Sequence, residues 1–273
     1  MSLLFTRSPF PAAEESGADV TNFSDWTAGT RPGASMSEGD FAVDTTHGRG
    51  YRWDATVGAL LPIDVYGETF DLVARVNGDE ANESELTNYE ERDDSFGANA
   101  TYTYSGTSVT LGGTNPNGIA RLNVSQTLVD ANIDNTKNFY YRFVVAQANV
   151  VGSNHNVAFQ IYDGSDHFQM RRLSGTVFNR INNNFGAIAL AITDDAPLAI
   201  SDTDTHVIEM YVKRDSDEDV AYCIVDGKVY HLSALDQASN SSTTSKAIQF
   251  FVSGQSSGNS MDLVVYESTF CAW

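Results

Sequence analysis

Basic side chains are scarce in this chain of 273 residues, which has 16 Lys and Arg against 36 Asp and Glu and a formal charge of −20. A surface of that sign repels phosphate backbones and anionic headgroups, so we expect no nucleic-acid binding. No window approaches the roughly 18 uninterrupted apolar residues of a membrane-spanning helix, and the start of the chain lacks a basic region followed by a long hydrophobic run. We therefore expect no membrane insertion and no secretory signal.

Cysteine is also rare, since Cys223 and Cys271 are the only two. They lie far apart in sequence, each within a strand-like run, and buried small apolar residues explain them more simply than a disulfide does. A disulfide between the last strand and the hairpin at Asp226 is the alternative, and it would need an oxidising compartment. No CxxC or clustered Cys/His spacing supports a zinc site.

The residue patterns of common hydrolases are missing as well. The five histidines are scattered, and neither HExxH nor Gly-x-Ser-x-Gly nor a phosphate-cradling Gly-Lys-Ser/Thr occurs. Glycoside hydrolases need two carboxylates flanking the scissile bond. Glu209 is the nearest candidate, but no second acid lies two or four positions away, and an outward strand position explains it more simply. We expect no enzymatic activity.

What the chain does contain is a series of strand-like runs from about Glu68 onward. Apolar and polar residues alternate in them, Gly-rich turns separate them, and Asp226-Gly227 has the residue types of a tight two-residue hairpin. This pattern predicts an all-β fold, an antiparallel β-sandwich of the jelly-roll kind over residues 67–273. The acidic stretch 77–99 is interpreted as a long loop within this sandwich. The alternative that residues 67–136 form a small separate domain stays open. Residues 182–196 are the one segment in which a short helix is an alternative to strand structure.

The first 37 residues have an irregular composition, with three prolines, yet they carry large apolar groups. These groups are Leu3, Leu4, Phe5, Phe10, Phe23 and Trp26. A segment of this kind cannot bury such groups by itself. We therefore interpret residues 1–37 as an attachment arm that packs on another chain or on the later domain.

A compact β unit is predicted next, at residues 38–66. Its short strands carry Gly39-Asp40-Phe41, Tyr51-Arg52-Trp53 and Leu60-Leu61-Pro62. This arrangement resembles the small β-meander modules of bacteriophage tail and fibre proteins. The resemblance implies a joint between an attachment segment and a distal domain.

The later part of the chain, from about Phe139 to Trp273, resembles the concanavalin-A-like or laminin-G-like lectin sandwich. The resemblance is carried by 159–164, 209–212, 224–229 and 248–266. Proteins of that family often bind glycans at the loop ends or on the concave face of the sandwich, and some need calcium. The same fold also hosts glycosidases, lyases and structural modules, so the resemblance alone assigns no activity.

Several polar and aromatic residues are candidates for glycan contact. They are Asn179, Arg180, Asn182 and Asn183 in an Asn-rich stretch, together with Tyr162. The Asn-rich stretch suits a subunit contact equally well. Further tyrosines in strand-like runs offer stacking faces, although core or cross-strand packing accounts for them more simply. These are Tyr102, Tyr104, Tyr140, Tyr211, Tyr222 and Tyr230.

The acidic turn Asp215, Asp217 and Asp219 offers oxygen atoms to calcium at alternating positions. It lacks the glycine and the distal glutamate of an EF-hand loop, and a solvated hairpin tip explains it more simply. We predict no cofactor and keep calcium as an open option.

Together these features favour a structural protein of a bacteriophage virion, assembled in the host cytoplasm and exposed on the particle exterior. Its arm would attach to other virion proteins, and its sandwich would bind host-surface glycan, as in a tail fibre or receptor-binding protein. A homotrimer is the usual expectation for such appendages, because several copies strengthen weak single sites. One alternative is a capsid decoration or head-fibre protein with a purely structural role. A second alternative is a polysaccharide depolymerase.

Overall fold

The computed structural model describes residues 20–27, 35–63, 71–93, 100–113, 118–132, 137–153, 155–163, 166–172, 180–182, 203–213, 219–235, 246–254 and 258–273. The chain divides into two compact units, Met1–Phe70 and Asp71–Trp273.

The small unit contains a sheet of four strands. They are β1 (Val20–Phe23), β2 (Phe41–Asp44), β3 (Arg49–Asp54) and β4 (Ala59–Pro62), hydrogen-bonded in that order. The pairs β2–β3 and β3–β4 are antiparallel, whereas β1 runs parallel to β2.

One turn occurs twice in this unit, at Asp44–Gly48 and again at Asp54–Gly58. In each copy the Asp carboxylate accepts the backbone N–H groups two and three residues later, at 2.9 to 3.1 Å. Each copy ends in a glycine with positive φ, 67° and 68°, a conformation that glycine adopts without steric cost. The repeated Asp-x-Thr-x-Gly pattern is therefore the sequence signature of the two hairpins.

Phe23 and Trp26, two of the predicted attachment residues, are buried within the small unit, and Trp26 is only 2% exposed. The Trp26 ring meets those of Phe23 and Tyr51 edge-on, at centroid distances of 4.9 and 5.0 Å. The predicted boundary after residue 37 thus falls between strands of one sheet, because local sequence does not reveal a parallel pairing. The other predicted attachment residues, Leu3, Leu4, Phe5 and Phe10, lie outside the described residues, and their role stays a prediction.

The large unit confirms the predicted antiparallel jelly-roll sandwich. Its strands are β5 (Asp71–Val76), β6 (Tyr89–Asp93), β7 (Ala100–Tyr104), β8 (Val109–Gly113), β9 (Ile119–Val124), β10 (Phe139–Val151), β11 (His155–Asp163), β12 (Asp166–Arg172), β13 (Arg180–Asn182), β14 (His206–Lys213), β15 (Asp219–Val225), β16 (Lys228–Leu235), β17 (Lys246–Gly254) and β18 (Ser260–Ala272). A 3-10 turn spans Glu83–Glu85, and a short helix, α1, spans Gln126–Asn132.

Two sheets form the sandwich. The first has eight strands in the order β16-β15-β14-β10-β18-β8-β7, with β5 paired to β18, and the second has six in the order β13-β12-β11-β17-β9-β6. The C-terminal strand β18 is internal, because β10 pairs with one edge and β8 and β5 pair with the other. Strands from residues 71–124 enter both sheets, and β6 lies within the stretch predicted to be a loop.

Alternating residues of the two sheets fill the core between them. Phe143 contacts Phe159 and Phe250 at ring-centroid distances of 4.4 and 5.4 Å. The Tyr89 hydroxyl is buried in the same core and lies 2.6 Å from the Tyr141 hydroxyl and 3.0 Å from that of Ser268. These three hydroxyls therefore satisfy one another.

The hairpin predicted at Asp226-Gly227 joins β15 to β16. Both residues have positive φ, 51° and 74°, as a primed two-residue turn requires. Asp226 also lies 2.7 Å from Nδ1 of His206 and accepts the backbone N–H of Val207 at 2.8 Å. The turn is thus tied to the start of β14.

Two further expectations concern the cysteines and membrane-spanning helices. Cys271 is buried as a thiol, so it forms no disulfide with Cys223 in this structure. Within the ranges that the structure describes, no helix has the length and apolar character to cross a membrane.

Candidate functional site

The candidate site lies on the face of the eight-stranded sheet that is turned away from the core. Along β10, Phe139, Tyr141 and Phe143 belong to the core, so Tyr140 and Arg142 point to the opposite side. Strand register then places neighbours from β14 and β18 beside these two residues. We define the outer face by Tyr140, Arg142, Glu209, Tyr211, Glu267, Thr269 and Trp273.

The centre of the outer face is a buried polar network. Arg142 forms an ion pair with Glu267, and the Thr269 hydroxyl donates to the same carboxylate at 3.3 Å. On the other side of β10, the Tyr140 hydroxyl donates to Glu209 at 2.7 Å. Arg142 and Glu209 are 0% and 1% exposed. Separating the partners of a buried ion pair would leave an uncompensated charge inside the protein, which is strongly destabilising. This cost holds the network in one geometry.

The rim of the outer face carries two aromatic rings. Tyr211 and Trp273 stack with centroids 6.0 Å apart and planes inclined by 28°, and both side chains are half-buried. The Trp273 backbone exchanges two hydrogen bonds with Asn138, at 2.9 and 3.2 Å, which fixes its position beside β10. The rim therefore offers rigid, partly exposed aromatic surface next to fixed donors and acceptors.

Three of the predicted glycan residues, Tyr162, Arg180 and Asn182, lie in strands of the six-stranded sheet. Tyr162 lies in β11 opposite His167 of β12, whereas Arg180 of β13 is opposite Arg171 of β12, four positions away. The backbone therefore does not align Tyr162 with Arg180. Asn182 ends β13, while Asn179 and Asn183 lie outside the described residues.

Of the predicted calcium residues, the structure describes only Asp219, in the eight-stranded sheet. Asp219 is the first residue of β15, and Asp215 and Asp217 lie outside the described residues. Within the part of the chain that the structure describes, no cluster of three or more His, Cys, Asp or Glu side chains is suited to a metal ion. Calcium binding at this turn stays an open option.

The tyrosines proposed as stacking faces divide into two groups. Tyr102 and Tyr104 pack against the core, and the Tyr104 hydroxyl donates to Glu91 at 2.6 Å. Burial and the hydrogen bond to Glu91 raise the pKa of Tyr104 well above its usual value. Tyr140 and Tyr211 instead belong to the outer face. Tyr222 and Tyr230 lie in β15 and β16, and their side chains are outside the described part.

Sequence reasoning missed Arg142, Glu267, Thr269 and Trp273 as site residues. Glu209 has no second acid nearby on its own strand, β14. The second acid of this face is Glu267, which belongs to β18 on the other side of β10. Arg142 was the one available signal, since an arginine in the middle of an otherwise apolar strand needs a buried partner. Glu209 does point away from the core, as expected, but it is buried.

No protein-family model matches the chain, and no curated protein matches it in sequence. Solved structures share its fold. An endo-1,3-β-glucanase from Streptomyces sioyaensis is 12% identical with a TM-score of 0.52, and the match covers 74% of this chain and 96% of that one. The carbohydrate recognition domain of Emp46p is 11% identical with a TM-score of 0.47, covering 74% and 98%. The binding domain of botulinum neurotoxin DC, solved with rat synaptotagmin II, is 10% identical with a TM-score of 0.47, covering 75% and 48%. Likeness at such low identity shows the fold alone.

Proposed function

We propose that the sandwich binds a glycan on the outer face of its eight-stranded sheet. The observation that carries this proposal is the partly exposed Tyr211–Trp273 stack beside the network of Tyr140, Arg142 and Glu209. Sugar rings present C–H faces that pack on aromatic rings such as those of Tyr211 and Trp273. Because these protein side chains are already fixed before binding, the protein loses little side-chain conformational entropy when a glycan binds.

A glycan array probed with the full chain tests this proposal, with and without calcium. Tyr211→Ala removes half of the stack, and we expect binding to weaken about tenfold, the equivalent of roughly 1.4 kcal/mol. Phe251→Ala is the matched control, because Phe251 is also a half-buried aromatic but lies on β17 of the other sheet, 5.4 Å below the Arg121 guanidinium. Equal binding by both variants, or no binding by the unaltered chain, would contradict the proposal.

We also propose that the chain is a virion appendage of a bacteriophage, of the tail-fibre or receptor-binding type. It would be a homotrimer on the particle exterior, attached to other virion proteins by its N-terminal segment. The resemblance of residues 39–62 to phage β-meander modules supports this assignment. A purely structural decoration or head-fibre protein is the alternative, and the location of the chain in an intact particle distinguishes the two.

The attachment role is tested by two deletions. Because Phe23 and Trp26 are built into the small unit, deletion of residues 1–19 should leave that sheet intact and still abolish incorporation into particles. Deletion of residues 1–37 should abolish incorporation and also disturb the small unit. If the shorter deletion still assembles into particles, the attachment segment is not where we place it.

A polysaccharide depolymerase is the second candidate, favoured by one observation. Glu209 and Glu267 share the outer face on either side of β10, and paired carboxylates are what glycoside hydrolysis needs. We favour binding over hydrolysis, because Tyr140 already engages Glu209, and Arg142 engages Glu267. Release of reducing ends from bacterial polysaccharide, lost in Glu209→Gln and in Glu267→Gln, would establish the enzyme instead.

A further inference from the structure

We propose that a pocket at the β6 edge of the six-stranded sheet binds an organic cation, a guanidinium or ammonium group on a short aliphatic stem. The pocket has a volume of about 440 Å³, within the roughly 300–1,000 Å³ of small-molecule sites. Its lining comes from the 3-10 turn, from β6 and from the residue after β9. It includes Glu83, Ser84, Leu86, Tyr89, Glu90 and Ser125. The proposed glycan site lies on the other sheet, so this inference does not depend on it.

The pocket has an apolar base. Leu86 and Tyr89 are 8% and 3% exposed and belong to the core of the large unit. Ser84 and Ser125 add hydroxyl groups to the lining and are more exposed. An aliphatic stem can therefore pack on the base while a polar head group stays hydrated or meets the polar part of the lining.

Two exposed carboxylates supply the charge of the pocket. Glu83 is held in place, because one of its carboxylate oxygens accepts the backbone N–H of Glu91 at 2.8 Å. Within the ranges that the structure describes, the Glu90 carboxylate has no hydrogen-bond or ion-pair partner. The lining contains no basic residue. A ligand that enters the pocket thus meets two solvent-accessible negative groups.

A buried acceptor beside Glu90 also lacks a donor. Strand register pairs Glu90 of β6 with Asn123 of β9, so the two residues lie on the same side of the sheet. Asn123 is 9% exposed, and its Oδ1 accepts no hydrogen bond from the described part of the chain. Buried polar atoms are normally paired. The groups that lack partners here are all acceptors, which favours a guanidinium or an ammonium, since these carry several donors and no acceptor.

The same carboxylates already act on a neighbouring group. The Tyr104 hydroxyl donates to Glu91 at 2.6 Å. Burial raises the pKa of Tyr104, and the hydrogen bond to Glu91 and the charges of Glu91 and Glu83 raise it further. Glu83 therefore imposes a negative potential on its surroundings, and such a potential favours a cation over a neutral ligand.

Titration of the full chain with n-butylguanidinium, followed by NMR shifts of the backbone amides, tests the proposal. The matched neutral probe is n-butylurea, which has the same stem and a similar head group without the charge. We expect the cation to bind at least about tenfold more tightly, to shift the amides of Glu83, Leu86 and Glu90, and to bind more weakly as salt rises. Equal affinities of the two probes, or shifts confined to other parts of the chain, would overturn the proposal.

Two isosteric variants separate the pocket from the charge of the whole chain. Glu90→Gln removes one of the two carboxylates and no internal hydrogen bond, so it should fold normally and bind butylguanidinium about tenfold more weakly. Asp79→Asn is the matched control, because Asp79 is exposed and close in sequence but does not line the pocket. It should change the affinity less than about twofold. Equal weakening in both variants would mean that the formal charge of −20 attracts the cation at long range, and would refute the site.

A capped Gly-Arg-Gly peptide distinguishes two sources of the cation. Tighter binding of the peptide than of butylguanidinium would indicate the arginine side chain of a partner protein. Weaker binding of the peptide would indicate a free small molecule, and both results support the pocket. If neither probe binds, the site is refuted, while glycan binding on the other sheet is unaffected.

Discussion

Asp44→Asn is the substitution whose effect the structure of the small unit predicts most sharply. The Asp44 carboxylate is fully buried and accepts four hydrogen bonds. Oδ2 lies 2.6 Å from both Nε1 of Trp26 and Nδ1 of His47, and Oδ1 accepts the backbone N–H groups of Thr46 and His47 at 3.0 and 3.1 Å. An amide can keep the two backbone bonds, but its NH₂ group then faces the indole donor. The substitution therefore keeps the hydrogen bonds of the turn and removes the hydrogen bond that holds Trp26.

The magnitude follows from the bonds that are lost. Hydrogen bonds to a charged group contribute about 1.5–3 kcal/mol each, so losing the bond to Trp26 and weakening that to His47 should destabilise the small unit by about 3 kcal/mol. Asp54→Asn is the matched control in the second copy of the turn. There Oδ1 also accepts two backbone N–H groups, but Oδ2 lies 3.6 Å from an Arg52 nitrogen. Such a partly exposed ion pair contributes at most about 1 kcal/mol.

Hydrogen exchange of the full chain measures both variants. Amides of β2 and β3 and the Trp26 indole N–H should exchange roughly a hundredfold faster in Asp44→Asn, and about fivefold faster in Asp54→Asn, since 1.4 kcal/mol corresponds to a factor of ten. Amides of the large unit serve as the internal reference. Equal acceleration in the two variants would refute the reasoning, because the turns themselves are alike.

Three further predictions concern stability. Burial alone would raise the pKa of Asp44, but its hydrogen bonds outweigh burial and lower the pKa below 3.8. Its contribution should therefore be complete above about pH 4 and be lost as the pH falls further, and Asp44→Asn should remove this pH dependence from thermal unfolding. Gly78→Ala should cost about 2–4 kcal/mol in urea denaturation, because φ is +84° and a Cβ would lie 2.5 and 2.8 Å from two backbone oxygens. Gly106→Ala is the control, because φ is +75° but a Cβ there would meet open space, and it should cost only about 1 kcal/mol. Equal losses of stability in the two glycine variants would show that the contacts at Gly78 relax freely. Tyr141→Phe should cost about 1 kcal/mol, since it removes the 2.6 Å hydroxyl contact to Tyr89 within the core, and an unchanged denaturation midpoint would contradict that value.

The sandwich could be predicted from the sequence wherever a strand has one buried and one polar face. The Asp226-Gly227 turn was predictable for a similar reason, because its positive φ values need those residue types. Strand β6 was not, since Tyr89 is the only large apolar residue in Tyr-Glu-Glu-Arg-Asp and the segment pairs along only one edge. Strand β1 was missed because its partner β2 follows only after 17 further residues, at Phe41.

The outer face illustrates a different limit. Tyr140, Tyr211 and Glu209 were recognisable one at a time, since each lies on a strand with clear alternation. The Arg142–Glu267 pair joins residues that are 125 positions apart. Its geometry depends on the register of β10 against β18, which includes a shift between Val144 and Val145. No local pattern encodes such a pairing, so the buried network becomes visible only when the strands are assembled.

The most direct test of the account is to map where a bound oligosaccharide lies on the full chain, using NMR shifts or hydrogen-exchange protection with a neutral hexose oligosaccharide. We predict changes along β10, β14 and β18 around Tyr140, Tyr211 and Trp273, with none in β13 at Arg180–Asn182. Changes confined to β11, β12 and β13 would contradict the assignment of the outer face and would instead favour the polar residues around Arg180.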